Sequence, residues 1–195
     1  VFLNRYKICV YAISKDEAAF AERFLLSMGE ADEVYVLDTG SSDGTVEILR
    51  ARGAVVETEI FVPFRFDAAR NRALEMVPDD ADICVSADLD EVFEPGWRKK
   101  LEAAWQESQT RAEYDYVYDH DEAGAPKTVF PREKIHTRHG YRWARPVHEI
   151  LEYDGTEVIA YIPGIVLHHF PDERKSRAQY LPLLELSCAE NPKDD

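Results

Sequence analysis

Glycine-rich phosphate cradles are missing from this chain of 195 residues. No GxGxxG follows the first apolar run and no GxxxxGK[ST] occurs, which sets aside the familiar backbone-amide cradles for dinucleotides and triphosphates. Positive charge is scarce as well: 23 Lys and Arg stand against 38 Asp and Glu, a formal net charge of -15. Nucleic acids and anionic membranes need clustered cations to displace counterions or meet headgroups, so neither is an expected partner. Cysteine is limited to Cys9, Cys84 and Cys188, with no CxxC pair, and the first two lie in apolar runs where a thiol acts as a small buried hydrophobe. That usage predicts a reducing, cytoplasmic setting. No apolar run approaches the roughly 18 residues of a membrane span, and no basic-then-apolar leader opens the sequence. The expectation is a soluble chain with no integral membrane segment, free of internal repeats and low-complexity tracts.

What is present reads as one globular domain: 45% hydrophobic, 31% charged, and long enough to bury a core. Tyr6 to Ile13 is almost continuously apolar, as for a strand covered on both faces. Ser14-Lys15-Asp16-Glu17 has capping-box spacing before a helical stripe of Phe20, Phe24 and Met28. Val34 to Leu37 predicts a second strand, Asp38 to Thr45 a polar turn, and Val46 and Leu49 a helix ending at Gly53. Residues 54–60 alternate like a third strand, Phe66, Ala69, Ala73 and Val77 mark another helix, and Ile83 to Ala87 is a fourth strand. Such alternation predicts an α/β fold with a mostly parallel central sheet flanked by helices. After a helix with its core aromatics Trp97 and Trp105, short strands at 114–118, 127–130, 157–161 and 165–169 predict a smaller antiparallel extension in the C-terminal half. Residues 138–149 read as a loop and 173–188 as a helix.

Ligands of such sheets bind beyond the carboxyl ends of the strands, where Ser14, Asp38 and Asp88 all fall. The focus is Ala87-Asp88-Leu89-Asp90-Glu91. In an extended segment Asp88 and Asp90 point the same way while Leu89 faces the core, so two carboxylates can converge on one cation. Carboxylate oxygens suit Mg²⁺ or Mn²⁺, ions that bridge to substrate phosphates and supply the positive charge this chain lacks. A solvated acidic loop is the alternative reading. Asp38 is a candidate acceptor for a nucleobase or ribose, whereas Asp43 fits a role in ordering the turn and capping the next helix. Arg70 is a candidate partner for Asp38 or for a nucleotide, or a solvated helix arginine. Glu149, in His148-Glu149 after Pro146, can act as a general base if it reaches an acceptor proton, and is otherwise part of a structural pair. His168-His169 offers an imidazole to the ion of Asp90, or satisfies the interior.

Taken in order, Ile13-Ser14-Lys15-Asp16-Glu17, Val36 to Thr45, Phe66-Asp67-Ala68-Ala69-Arg70-Asn71 and Asp88-Leu89-Asp90 resemble family-2 glycosyltransferases of the GT-A, Rossmann-like fold. The resemblance is strongest over Ile8 to Glu91 and runs more loosely to His169. Val147-His148-Glu149 and His168-His169 resemble the bacterial branch that includes lipopolysaccharide core glucosyltransferases and relatives with helical repeats. The resemblance implies a nucleotide-sugar donor, most often UDP-linked, contacted by Ser14, Glu17, Asp38, Arg70, Asp88 and Leu89. It implies Mn²⁺ or Mg²⁺ at Asp90, with Asp88 and with His169 or His168, and Glu149 as the catalytic carboxylate of an inverting hexosyl transfer. The acceptor classes it leaves open are a saccharide, a lipid-linked glycan and a peptide. One departure stands out: the family's usual carboxylate motif is Glu-Asp at a helix start, where this chain has His-Glu.

The expected division is a nucleotide-sugar half over 1–109, an acceptor and metal half over 110–172, and a C-terminal helix over 173–195 that begins a further module. Two other functions compete. One is a nucleotide-sugar-binding scaffold without catalysis. The other is a phosphatase of the haloacid dehalogenase type, whose nucleophile loop Asp88-Leu89-Asp90-Glu91-Val92 imitates, although that loop normally follows the first strand and here three strand–helix units precede it.

Overall fold

The computed structural model describes residues 6–172 and 180–190. Three strand–helix units come first: β1 (Ile8–Ser14) with α1 (Ala18–Met28), β2 (Glu33–Asp38) with α2 (Thr45–Ala51), and β3 (Val55–Thr58) with α3 (Phe66–Met76). β4 (Ile83–Ser86), β5 (Glu91–Phe93) and α4 (Trp97–Ala104) follow. The second half holds β6 (Arg111–His120), β7 (Pro126–Thr137), β8 (Tyr141–Ala144), β9 (Ile150–Tyr153), β10 (Ile159–His169) and α5 (Tyr180–Glu190). One sheet runs in the order β3-β2-β1-β4-β7-β6-β10-β5, and β8 and β9 form a separate ribbon. The first four strands of that order are parallel. β7 is antiparallel to both β4 and β6, β10 is parallel to β6, and β5 closes the edge antiparallel to β10. The mostly parallel α/β sheet with an antiparallel extension is the architecture the sequence predicts.

The continuous apolar run of β1 has a direct cause. Ile8, Val10 and Ala12 face one core with Phe24 and Met28 of α1 and Trp97 and Leu101 of α4. Cys9 and Tyr11 face a second core with Ala69, Ala73 and Leu74 of α3 and with Tyr141, Trp143 and Leu151 of the ribbon. Cys9 and Cys84 are buried free thiols, and burial pushes their pKa values up to about 11 and about 12, which leaves them unreactive packing groups. Among the described residues no helix is long and apolar enough to cross a membrane.

Several local expectations are corrected. The capping box at Ser14 does not form, because Ser14 closes β1 and donates its hydroxyl to Asp38 at 3.1 Å. The first amides of α1 are met from the β2–α2 turn instead: Glu17 N–H donates to Thr45 Oγ1 at 2.8 Å and Ala18 N–H to Asp43 Oδ2 at 3.0 Å. Asp43 is therefore structural, as its position in the turn suggests. The third strand is only four residues long, in keeping with its place at the sheet edge. The two strands read at 157–161 and 165–169 are one, with a register shift between Tyr161 and Val166 where Pro163 offers no N–H and Gly164 has φ 80. The segment read as a loop at 138–149 contains β8. Helix α5 occupies part of the expected C-terminal helix, and 173–179 lie outside the described residues.

Candidate active site

The carboxyl ends of β1, β2, β4, β6 and β10 open on one side of the sheet, and the candidate residues gather there. On β2, Asp38 is almost fully buried. Its Oδ1 accepts from Ser14 and Ser41 hydroxyls and its Oδ2 from the Gly40 and Ser41 amides, each at 3.0 Å. A carboxylate has about four acceptor positions, so the turn uses all of them. Gly40, at φ 102, can adopt the left-handed conformation that aims these amides inward.

Arg70 is the hub. It stands on α3 and is 4% exposed; its Nε donates to Glu149 Oε1 at 2.6 Å and its Nη2 to Asp88 Oδ1 at 2.7 Å. Nη1 is buried with no hydrogen-bond partner among the described residues. The guanidinium carbon lies 5.0 Å from the Trp143 ring, which holds the plane of the fork. The next residue, Asn71, clamps β8 by giving Nδ2 to Trp143 O and accepting Trp143 N–H, both at 2.8 Å. Phe66 N–H donates to Pro146 O at 3.0 Å. α3 thus fixes the segment leading to Glu149, and His148, at φ 51, makes the left-handed turn just before it while its own side chain stays exposed. Arg70 therefore meets Asp88 and Glu149, and its pairing with Asp38 is not what the structure shows.

Asp88 and Asp90 have different surroundings. The second oxygen of Asp88 lies 3.1 Å from Lys134 Nζ. Burial works to raise the Asp88 pKa, but Arg70 and Lys134 outweigh it and hold the carboxyl well below the usual range. Glu91 is buried and accepts the Asp88 N–H at 2.8 Å, so it shapes the acidic turn; burial raises its pKa. Leu89 is in the core, which leaves only its backbone for any ligand. It sits in a turn closed by Glu91 N–H donating to Asp88 O at 2.9 Å and not in the extended segment the sequence suggests, so Asp88 and Asp90 are not same-face neighbours of one strand. Asp90 Oδ2 lies 3.3 Å from His169 Nε2, and His169 Nδ1 lies 3.1 Å from Tyr118 O. Burial lowers the His169 pKa and the adjoining Asp90 more than offsets it, giving a raised value. His168 points to the other side of the strand, 2.9 Å from His120 and 3.2 Å from Glu94. Ser14 and Glu17 lie at the end of β1 beside the Asp38 turn.

Among the described residues no group of three His, Cys, Asp or Glu side chains converges to hold an ion. The Asp90–His169 pair nonetheless suits a divalent cation. The Tyr118 carbonyl selects the Nδ1–H form of His169, leaving Nε2 as a lone-pair donor beside a carboxylate oxygen. Two protein donors with the remainder from substrate oxygens and water is ordinary for Mn²⁺ and Mg²⁺, and the imidazole favours Mn²⁺.

Lys134 is the site residue that sequence reading missed. Its Nζ lies 3.1 Å from Asp88 and 3.7 Å from Glu91. The strand expected at 127–130 in fact continues to Thr137, and a longer run of alternation through Arg132 would have carried it to Lys134.

The carboxyl edge of this mostly parallel sheet, with its acidic residues, an anchoring arginine and a second carboxylate, is where ligands of open α/β sheets bind. The glycosyl transferase family 2 model matches residues 9–161, and the chain belongs to that family. A TPR repeat-containing protein of Synechococcus elongatus is 28% identical over 153 residues, covering 75% of this chain and 36% of the relative, so the chain spans about a third of that relative's length. Among solved structures, that of a mycobacterial protein shares the fold with a TM-score of 0.59 at 20% identity, over 87% of this chain and 69% of that one. Glucosyl-3-phosphoglycerate synthase of Mycobacterium tuberculosis, in complex with Mn²⁺, UDP and phosphoglyceric acid, is 26% identical over 57% of this chain and 44% of its own, with a TM-score of 0.48.

Proposed function

We propose that this domain carries the catalytic site of a metal-dependent, inverting hexosyltransferase that uses a nucleotide-sugar, UDP-linked, as donor. The observation that carries the reading is the guanidinium of Arg70 joining Glu149 to Asp88, beside the Asp90–His169 pair. The roles follow from the surroundings. Asp88, engaged by two cations, is suited to a ribose contact, and Asp90 with His169 to a cation shared with the donor diphosphate. Arg70 Nη1 is a buried donor without a hydrogen-bond partner among the described residues, and an anionic group that displaced its cover would satisfy it. Asp38, with Ser14, Glu17 and the Leu89 backbone nearby, belongs to the nucleotide end, where a direct base contact requires the Ser41 hydroxyl to turn away from Asp38.

In this mechanism Glu149, anchored through Oε1, takes the proton of the acceptor hydroxyl as its oxygen attacks the anomeric carbon. The bond to the diphosphate breaks on the opposite face, so configuration inverts, through a transition state of oxocarbenium character. A bound divalent cation would stabilise the charge developing on the departing diphosphate. The buried free thiols accord with a cytoplasmic setting. A phosphatase reading has no support in a chain of this family, with both Asp88 oxygens engaged by cations.

The test is UDP release from a panel of UDP-sugars with Mn²⁺. Glu149→Gln should lower turnover by about 10²–10⁴-fold while leaving UDP affinity near that of the parent. Unchanged turnover would remove Glu149 from the mechanism and favour a nucleotide-sugar-binding scaffold.

A further inference from the structure

We infer that Tyr118 and Phe130 form a stacking platform for a saccharide acceptor, set directly beside the Asp90–His169 pair; the inference rests on the transferase reading above. Both rings stay at the surface, Tyr118 44% and Phe130 36% exposed. They are 6.2 Å apart, and Phe130 is 5.4 Å from the ring of buried Tyr116, its cross-strand partner on β6. Tyr118 lies 5.5 Å from the His169 ring at an interplanar angle of 29°, so the platform is continuous with the site. Arg132 completes it: its guanidinium sits 5.7 Å from Phe130 and 4.9 Å from Tyr116, and its buried Nε has no hydrogen-bond partner among the described residues.

Exposed aromatic faces beside a guanidinium match the chemistry of a sugar ring. The C–H groups on one pyranose face are slightly positive and meet the negative face of an aromatic ring, while a hydroxyl oxygen accepts from the arginine. A nucleobase is also able to stack on such rings, but the nucleotide end of the site lies elsewhere. Asp38 ends β2, and β6, which carries Tyr118, is four strands away in the sheet order, about 19 Å at roughly 4.8 Å per strand. Donor and acceptor thus approach the β4 carboxylates from opposite sides. A small phosphorylated acceptor would leave the ring surfaces unused.

The test follows aromatic side-chain NMR signals of Tyr118 and Phe130 in the intact chain during titration with maltose, cellobiose, lactose and chitobiose, with glycerol 3-phosphate as comparison. Concentrations of tens of millimolar suit a weak contact of this size. At least one disaccharide should shift both rings, and glycerol 3-phosphate neither. Phe130→Ala should weaken that disaccharide at least about tenfold, Phe130→Trp should retain it, and neither should alter UDP affinity with Mn²⁺. The inference is overturned if no disaccharide moves either ring, or if Phe130→Ala weakens UDP as much as sugar, which would assign the platform to the donor. Failure of UDP to bind the parent protein would instead count against the transferase reading, and the two failures are read from separate titrations.

Discussion

Arg70 holds Glu149 and Asp88 at once, 2.6 Å and 2.7 Å away, and so ties the β8–β9 segment to the acidic turn after β4. Removing it leaves two carboxylates facing each other without their shared cation. Arg70→Ala should destabilise the fold by about 3 kcal/mol, the usual cost of breaking a largely buried pair from one side. Arg70→Lys should keep more of the stability and yet lose turnover, because an ammonium cannot reproduce the two-pronged geometry. Urea unfolding and UDP release, measured on both variants, separate the two effects.

Strand alternation divides the two adjoining histidines. His169→Ala should raise the Mn²⁺ concentration for half-maximal activity by at least about tenfold, since it removes a donor beside Asp90. His168→Ala should leave that concentration unchanged, because His168 faces His120 and Glu94. A metal titration of UDP release on the two variants decides it, and equal effects would contradict the assignment.

A buried histidine predicts acid sensitivity. Trp143 Nε1–H donates to Tyr11 Oη, the Tyr11 hydroxyl pairs with His136 Nε2 at 2.8 Å, and His136 Nδ1 reaches Thr137 O at 2.7 Å. Burial pushes the His136 pKa down to about 4 from 6.5. The unfolded chain therefore binds the proton first: stability is complete above pH 6.5 and is lost as pH falls toward 4. The loss from this group between pH 7 and pH 5 should be about 2 kcal/mol. His136→Gln, which retains an acceptor for Tyr11, should reduce that slope in urea unfolding at the two pH values.

Much of this was legible in the sequence because the first half alternates strands and helices with sharp apolar periodicity. The end of β4 carried Asp88 and Asp90 to the same edge as Ser14 and Asp38 for the same reason. What escaped depends on long-range pairing. The capping spacing at Ser14 lost to Asp38, a partner 24 residues away. Lys134 reached Asp88 only because β7 runs on past its hairpin to pair with β4. The link from Arg70 to Glu149 spans 79 residues and no local pattern announces it. His168 and His169 were distinguishable only once the facing strands were known.

The central claim is that this sheet edge binds a nucleotide diphosphate through a cation at Asp90 and His169. The most direct measurement is thermal unfolding with UDP, with Mn²⁺, and with both together, compared against Asp90→Asn. Ligand at about a hundred times its dissociation constant should raise the melting temperature by roughly 5–10 °C when UDP and Mn²⁺ are combined, with little change for either alone and little in the variant. No combined shift in the parent protein, or an equal shift in Asp90→Asn, would contradict the account.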